Sequence, residues 1–225
     1  MVDTGLSRRE VVVFGAAGAL GTGVAAAFAD AGAVVVGADR VTPPAERQLS
    51  GVSYETVDVL DDAAVAALLD SRRAPWAVIN TVGGYAPRRP LAELDVAELH
   101  AQLQLNLVSA AIITKNALQV MLPADEGRIV HTASHAGVVS PGAGFAYSVS
   151  KLGVLRLVEM AAYEVRGTRI TVNCVVPRII DTPANRAAMP GEDHASWPKV
   201  ADIAVSYIYL ASPDSHLVNG AAIPV

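Results

Sequence analysis

Cysteine is almost missing from this chain: Cys174 is the only one in 225 residues. A single thiol closes no internal disulfide and lacks the neighbours that a zinc site needs, so a reducing, cytoplasmic setting is expected. Asn-x-Ser/Thr sequons are absent as well. Charge is sparse, at 17% of residues, and leans acidic, with Lys plus Arg 17 against Asp plus Glu 22. No basic stripe is available to neutralise phosphates along a groove, so nucleic acid is not an expected partner. The histidines His100, His131, His135, His194 and His216 are scattered without metal-ligand spacing, and no metal is expected.

No fixed-period repeat, low-complexity tract or Pro/Gly/Ser linker divides the chain. At about 150 residues per domain, its length favours one domain over residues 1–225. A hydrophobic content of 52% rules out global disorder. One stretch imitates a targeting or membrane segment, because Arg8 and Arg9 precede the uncharged residues 11–29. Gly15, Gly18, Gly21 and Gly23 weaken such a helix and Glu10 interrupts the basic flank, so neither export nor membrane insertion is expected.

What is present is an alternation. Short β-branched runs at 10–14, 33–38, 53–57, 76–80, 128–132 and 169–175 are separated by Ala-rich windows at 20–30, 61–73, 95–121 and 147–165, with a further one at 200–210. Strands apolar on both faces, each followed by a helix, predict an α/β fold: a parallel sheet, doubly wound, with helices on both faces. An eight-unit barrel needs about 250 residues and more strand-helix pairs than occur here. In an open sheet of this kind ligands bind at the carboxyl ends of the strands, and the glycine-rich and polar clusters fall there.

The first run passes into Gly15-Ala16-Ala17-Gly18-Ala19-Leu20-Gly21 and then a helical window. Glycines at this junction permit a tight turn and let backbone N–H groups and the positive helix end approach a pyrophosphate, the Rossmann-type arrangement; a plain strand-helix turn is the bland alternative. Asp39, eighteen residues beyond Gly21, ends the second run. An acid there hydrogen-bonds ribose hydroxyls and repels a 2′-phosphate, which favours NAD(H); the adjacent Arg40 keeps NADP(H) open. Further along, Tyr147 and Lys151 stand four residues apart on one helix face. Free tyrosine ionises near pH 10, so a fixed cation nearby is a physical route to a usable acid/base. Ser134 follows the fifth run and would place a hydroxyl at a strand end, where it can polarise a carbonyl.

Through Gly15 to Gly21, Asn80-Thr81-Val82-Gly83, Asn106, Ser134, Tyr147-x-x-x-Lys151 and Pro177 with Thr182, the sequence resembles the short-chain dehydrogenase/reductase family along almost its whole length. That resemblance implies an NAD(P)-dependent oxidoreductase acting on a small-molecule carbonyl or alcohol. It implies that Tyr147 is the general acid/base, that Lys151 lowers its pKa and holds the nicotinamide ribose, that Ser134 positions the reacting oxygen, and that Asn106 completes a proton relay to Lys151. It also implies cofactor contacts at Gly15, Gly18, Ala19, Leu20, Gly21, Asp39, Arg40, Asp58, Val59, Asn80, Gly83, Pro177, Ile180 and Thr182, a substrate lid at 183–198, and a homodimer or homotetramer. Read from the residues alone, Asn106 inside the window 95–121 is a backbone-bonded or solvent-facing amide, Asp58 a helix cap before Asp61, and Asn80 to Gly83 a turn. Leu152, Leu155, Val158 and Ala162 form a second apolar helix face, for the core or for another subunit.

The pattern departs from the family in three places. Ala19 stands where many members carry glycine, and Arg178 follows Pro177 where glycine is usual, a cation for an acidic substrate group or for solvent. The segment from Asp181 through Trp197 is similar to the dihydropteridine reductase branch, which makes a pteridine or quinonoid reductase the alternative enzyme, although Ser134 argues for a carbonyl. A catalytically idle cofactor-binding regulator is the reading from another class. Ser134 and His135, as neighbours on an extended strand, would face opposite ways, so a hydrolase dyad is not expected.

Overall fold

The computed structural model describes residues 4–72, 74–86, 88–139 and 144–225; Arg73, the last residue of the expected helix 61–73, lies outside them. In chain order the elements are β1 (Glu10–Phe14), α1 (Ala19–Asp30), β2 (Val34–Asp39), β3 (Val52–Thr56), α2 (Asp62–Ser71), β4 (Ala77–Asn80), α3 (Val96–Gln102), a π-helical segment (Leu103–Val108) and α4 (Ser109–Met121). Then follow β5 (Glu126–Thr132), the single turn α5 (His135–Val138), α6 (Phe145–Glu164), β6 (Arg169–Val176), α7 (Pro183–Ala188), α8 (Val200–Ala211) and β7 (Ala222–Pro224). All strand pairs are parallel, in the order β3-β2-β1-β4-β5-β6-β7. This is the single Rossmann-type sheet expected from the alternation, and the chain reverses its direction of growth between β1 and β4.

Period-two alternation sorts each central strand between two cores. In β1, Val12 and Phe14 point into one, with Val36, Val78, Ile129 and Val172; Val11 and Val13 point into the other, with Val35, Ile79, Val130 and Val175. The first core is roofed by α2, α4 and α6, whose buried stripes include Val65 and Leu69, Ile113 and Ala117, and Val154 and Val158. The second is roofed by α1 and α8, through Val24, Ala25 and Phe28 against Ile203, Tyr207 and Leu210. The 26-residue run Val96–Met121 is long and apolar enough to cross a membrane, but Ala110, Ile113, Ala117 and Met121 are fully buried in the first core.

Several boundaries differ from the sequence reading, each for a local reason. β7 was not expected: three residues are too short to carry a strand period, and pairing with β6 alone defines it. The window 95–121 is not one α-helix, because the ladder widens into π geometry over Leu103–Val108. Asp58 is no helix cap; its Oδ1 accepts from Leu60 N at 2.9 Å in a turn, and Asp61 caps α2 by accepting from Ala64 N at 3.1 Å. The helix expected over 147–165 begins two residues earlier, at Phe145, on the extended Gly144. Ser134 and His135 are not strand neighbours, since Ser134 caps α5 and His135 opens it. On α6 the second apolar face divides: Val158 and Ala162 are buried, Leu155 packs at the core edge, and Leu152 is exposed.

Candidate active site

At the carboxyl ends of β1 and β4 two loops come together. Gly15 turns with φ +83°, Gly18 N–H donates back to Gly15 O at 3.0 Å, and α1 starts immediately afterwards without a side-chain cap or an acidic residue in its first turn. A Cβ on Gly21 would collide with the Gly15 carbonyl, so only glycine lets the helix sit this close to the loop. The uncapped N–H groups and the dipole leave this end suited to an anion. Ala19 and Leu20 supply part of that first turn.

Asp39 ends β2 and ties the loop down: its Oδ2 accepts from Ala17 N at 3.0 Å and its Oδ1 from Val41 N at 3.4 Å. Beside it, Ala17, Thr22, Val41, Pro43, Pro44 and Arg47 line a cavity of about 230 Å³. Arg40 is exposed. Arg47 escaped the sequence reading; it stands eight residues past Asp39 at the end of a single 3₁₀ turn, Ala45–Arg47, too short to carry a periodicity. Asp58 and Val59 follow β3, the first exposed and the second packed against the first core.

The β4 loop is held by a buried chain of hydrogen bonds. Asn80 Oδ1 accepts from Val82 N at 2.9 Å, its Nδ2 donates to His131 Nδ1 at 3.1 Å, and His131 Nε2 meets Thr114 Oγ1 at 2.8 Å. Thr114 Oγ1 donates to Ala110 O at 2.7 Å, so it accepts from the ring and His131 is neutral with its proton on Nε2. Burial, helped by the positive charge of Lys151, pushes His131 down to about 3. Sequence reading missed this histidine, because a ring on a buried strand is recognised only through its neighbours.

Asn106 projects from the π-helical segment into the same place. Its Oδ1 accepts from Gly84 N at 3.0 Å, and its Nδ2 faces Gly84 O, Gln102 Oε1 and Ser150 Oγ at 3.1, 2.9 and 3.0 Å. It is thus a buried clamp on the loop backbone. Gly83 permits this approach: a Cβ there would lie 2.8 Å from Lys151 Nζ and 2.9 Å from Asn106 Oδ1. Asn106 and Lys151 therefore converge on one point, although they are 45 residues apart.

Ser134, Tyr147 and Lys151 are brought together by the docking of α5 on α6. Ser134 Oγ accepts from Ala136 N at 3.2 Å and lies near enough to the Tyr147 hydroxyl to influence its pKa. Burial raises the Tyr147 phenol above its usual value; the Ser134 hydroxyl pulls it down, and Tyr85, with ring centroids 5.2 Å apart and planes at 70°, pushes it up. The net direction is upward, opposite to the lowering by Lys151 that the sequence led us to expect. The reason is where the ammonium points: Lys151 Nζ donates to Thr132 O at 2.9 Å, and burial takes its own pKa down to about 8. Tyr85 and Thr132 were both missed, the first for want of any motif and the second because a strand-end carbonyl carries no sequence mark.

On the far rim, His135 N bonds Pro177 O at 3.0 Å, which joins the β5 and β6 loops. Arg178 is exposed. Thr182 caps α7 by accepting from Asn185 N at 3.2 Å, and Asn185 Nδ2 returns a bond to Ile180 O at 2.8 Å. The segment 183–198 holds α7 and a short 3₁₀ turn, closed at its ends by a bridge between Asp181 and Lys199 and by the bidentate pair Arg186 to Asp181 at 2.5 and 2.8 Å. Among the described residues, no group of three His, Cys, Asp or Glu could hold a metal ion.

Comparison with known proteins agrees with this fold. The family model described as enoyl-(acyl carrier protein) reductase matches residues 15–225. The chain is similar to the cis-4-hydroxycyclohexanecarboxylate dehydrogenase of Sinomonas cyclohexanicum, at 32% identity across 97% of this chain and 95% of that one. Among solved structures it resembles a short-chain type dehydrogenase/reductase from Mycobacterium ulcerans, with TM-score 0.88, 23% identity and coverage of 98% and 89%. It also resembles ElxO with NADP bound, with TM-score 0.91, 21% identity and coverage of 97% of each chain.

Proposed function

Since the chain belongs to the short-chain dehydrogenase/reductase family and is an NAD(P)-dependent oxidoreductase of carbonyl and alcohol substrates, we propose that Tyr147 exchanges the proton of the reacting oxygen, in concert with Ser134. The observation that carries this is the convergence of Ser134 and Tyr147 at the carboxyl end of the sheet, where α5 docks on α6 and the Ser134 hydroxyl lies near enough to lower the Tyr147 phenol against its burial. In reduction Tyr147 donates to the carbonyl oxygen as it gains charge; in oxidation it removes the alcohol proton. Ser134, held by its bond from Ala136 N, orients and polarises that oxygen. A hydroxyl so placed favours a carbonyl over a pteridine or quinonoid ring.

When bound, the nicotinamide dinucleotide supplies or accepts the hydride. The residues present fit it: Gly15, Gly18 and Gly21 form a cradle that a Cβ would fill, and the bare start of α1 meets a pyrophosphate. Asp58 and Val59 would border the adenine, Asn80 and Gly83 the adjoining ribose, and Pro177, Ile180 and Thr182 the carboxamide. Lys151, buried and mostly protonated at neutral pH, would hold the nicotinamide ribose hydroxyls and pass protons by way of Asn106. Asp39 would favour NAD(H), because a carboxylate at the end of β2 repels a 2′-phosphate; Arg40 and Arg47 are the cations that leave NADP(H) as the second cofactor. The half-exposed Leu152, Met160 and Tyr163 along α6 support a homodimer or homotetramer, and the one buried thiol supports a cytoplasmic setting.

A screen of secondary alcohols and ketones, following NADH and NADPH absorbance, tests the reading. Turnover that falls at least about a hundredfold in Tyr147→Phe is expected; turnover undiminished in that variant refutes the role of Tyr147.

A further inference from the structure

The loop leaving β4 holds an aromatic ring beside the reactive phenol. Gly84 is clamped at both its N–H and its carbonyl by Asn106, and Ala86 is only 3% exposed. Tyr85 lies between these two anchors and is nevertheless 63% exposed, with its ring in an edge contact with Tyr147. A large apolar surface fixed in water beside a reacting group is a surface waiting for a partner.

We propose that Tyr85 is a specificity-determining residue, the wall of the substrate site against which a cyclic secondary alcohol, or its ketone, lays a flat ring face. The proposal rests on the reading of Tyr147 as the proton-exchanging group. An aromatic face is electron-rich and flat, and the C–H bonds of a saturated ring meet it over its whole area. A ring does so without freezing torsions, whereas an open chain of the same carbon number must give up rotor freedom to cover the same face. Val138 and Val139, about one turn beyond Ser134 and both more than half exposed, add apolar surface near the mouth. Of the two arginines that follow on this loop, Arg89 pairs with Glu98 at 3.5 Å and Arg88 is exposed.

The test compares cyclic ketones with five- to eight-membered rings against open-chain ketones of equal carbon number, in the wild type, Tyr85→Ala and Tyr85→Phe. NADH affinity is measured in parallel by fluorescence titration. The wild type is expected to prefer the rings, and Tyr85→Ala to lower the cyclic-to-acyclic ratio of kcat/KM about tenfold while NADH affinity stays within about twofold. Tyr85→Phe, which keeps the ring face, should retain the wild-type ratio. No ring preference in the wild type, a ratio undisturbed in Tyr85→Ala, or a ratio lost equally in Tyr85→Phe overturns the proposal. Ketone turnover undiminished in Tyr147→Phe removes the underlying reading of Tyr147 instead.

Discussion

Replacing Ser134 by alanine separates its two duties. As the cap of α5 it accepts from Ala136 N at 3.2 Å, and as a site residue it lowers the Tyr147 phenol. Loss of the cap costs about 1 kcal/mol, which in a domain of this size lowers Tm by about 2–4 °C. Loss of a hydroxyl aimed at developing charge costs far more in the transition state, about 10²–10³ in kcat, or roughly 3–4 kcal/mol. The pH profile supplies an independent sign. The Ser134 hydroxyl is what pulls the Tyr147 phenol down against burial, so removing it moves the phenol further up. In the oxidation direction the rising limb of kcat should shift to more alkaline pH, and the deficit should be smaller at pH 10 than at pH 7. Ser134→Thr keeps the hydroxyl and should recover most of the loss. Steady-state kinetics across pH, with a thermal melt of each protein, reads all three quantities. A lowered Tm with kcat and pH profile unchanged would mean that Ser134 is only a helix cap, and the carbonyl mechanism would lose its polarising group.

Asp39→Ala should raise the NADPH-to-NADH ratio of kcat/KM about tenfold or more, since it removes the anion beside Arg40 and Arg47; an unchanged ratio would take Asp39 out of cofactor choice. Gly83→Ala places a methyl 2.8 Å from Lys151 Nζ and 2.9 Å from Asn106 Oδ1, so kcat should fall at least about tenfold while circular dichroism stays that of a folded protein. His131→Phe leaves the Asn80 amide without its acceptor and should cost about 2–3 kcal/mol in urea unfolding. In the wild type, the same histidine makes stability fall as pH drops below its unfolded value near 6.5. The unfolded chain takes up a proton that the folded one refuses down to about pH 3, a slope of up to about 1.4 kcal/mol per pH unit. A flat stability curve between pH 6 and 4 would contradict the buried neutral ring.

The sheet was legible because burial on both faces writes itself as unbroken β-branched runs, and the positions of Gly15 to Gly21, Asp39, Ser134, Tyr147 and Lys151 follow from being at strand ends or on one helix face. Short spacing was enough there: Tyr147 and Lys151 are a turn apart whatever surrounds them. β7 was not legible, since three residues hold no period and exist as a strand only through β6. The π-helical turn that carries Asn106 was hidden for a similar reason, as the loop that Asn106 clamps lies 22 residues away in the chain.

By itself, then, the order of residues determined the layered sheet and the glycine loop and marked the groups proposed to exchange the proton, because each depends on periodicity or on separations of a few residues. Tertiary structure alone decided their electrostatics and their surroundings. It turned Lys151 to the Thr132 carbonyl instead of the phenol, buried His131 as a neutral strut beneath the cofactor loop, and set Tyr85 against Tyr147 across 62 residues. Desolvation and packing depend on which distant segments meet, and that is settled only when both faces of the sheet have closed.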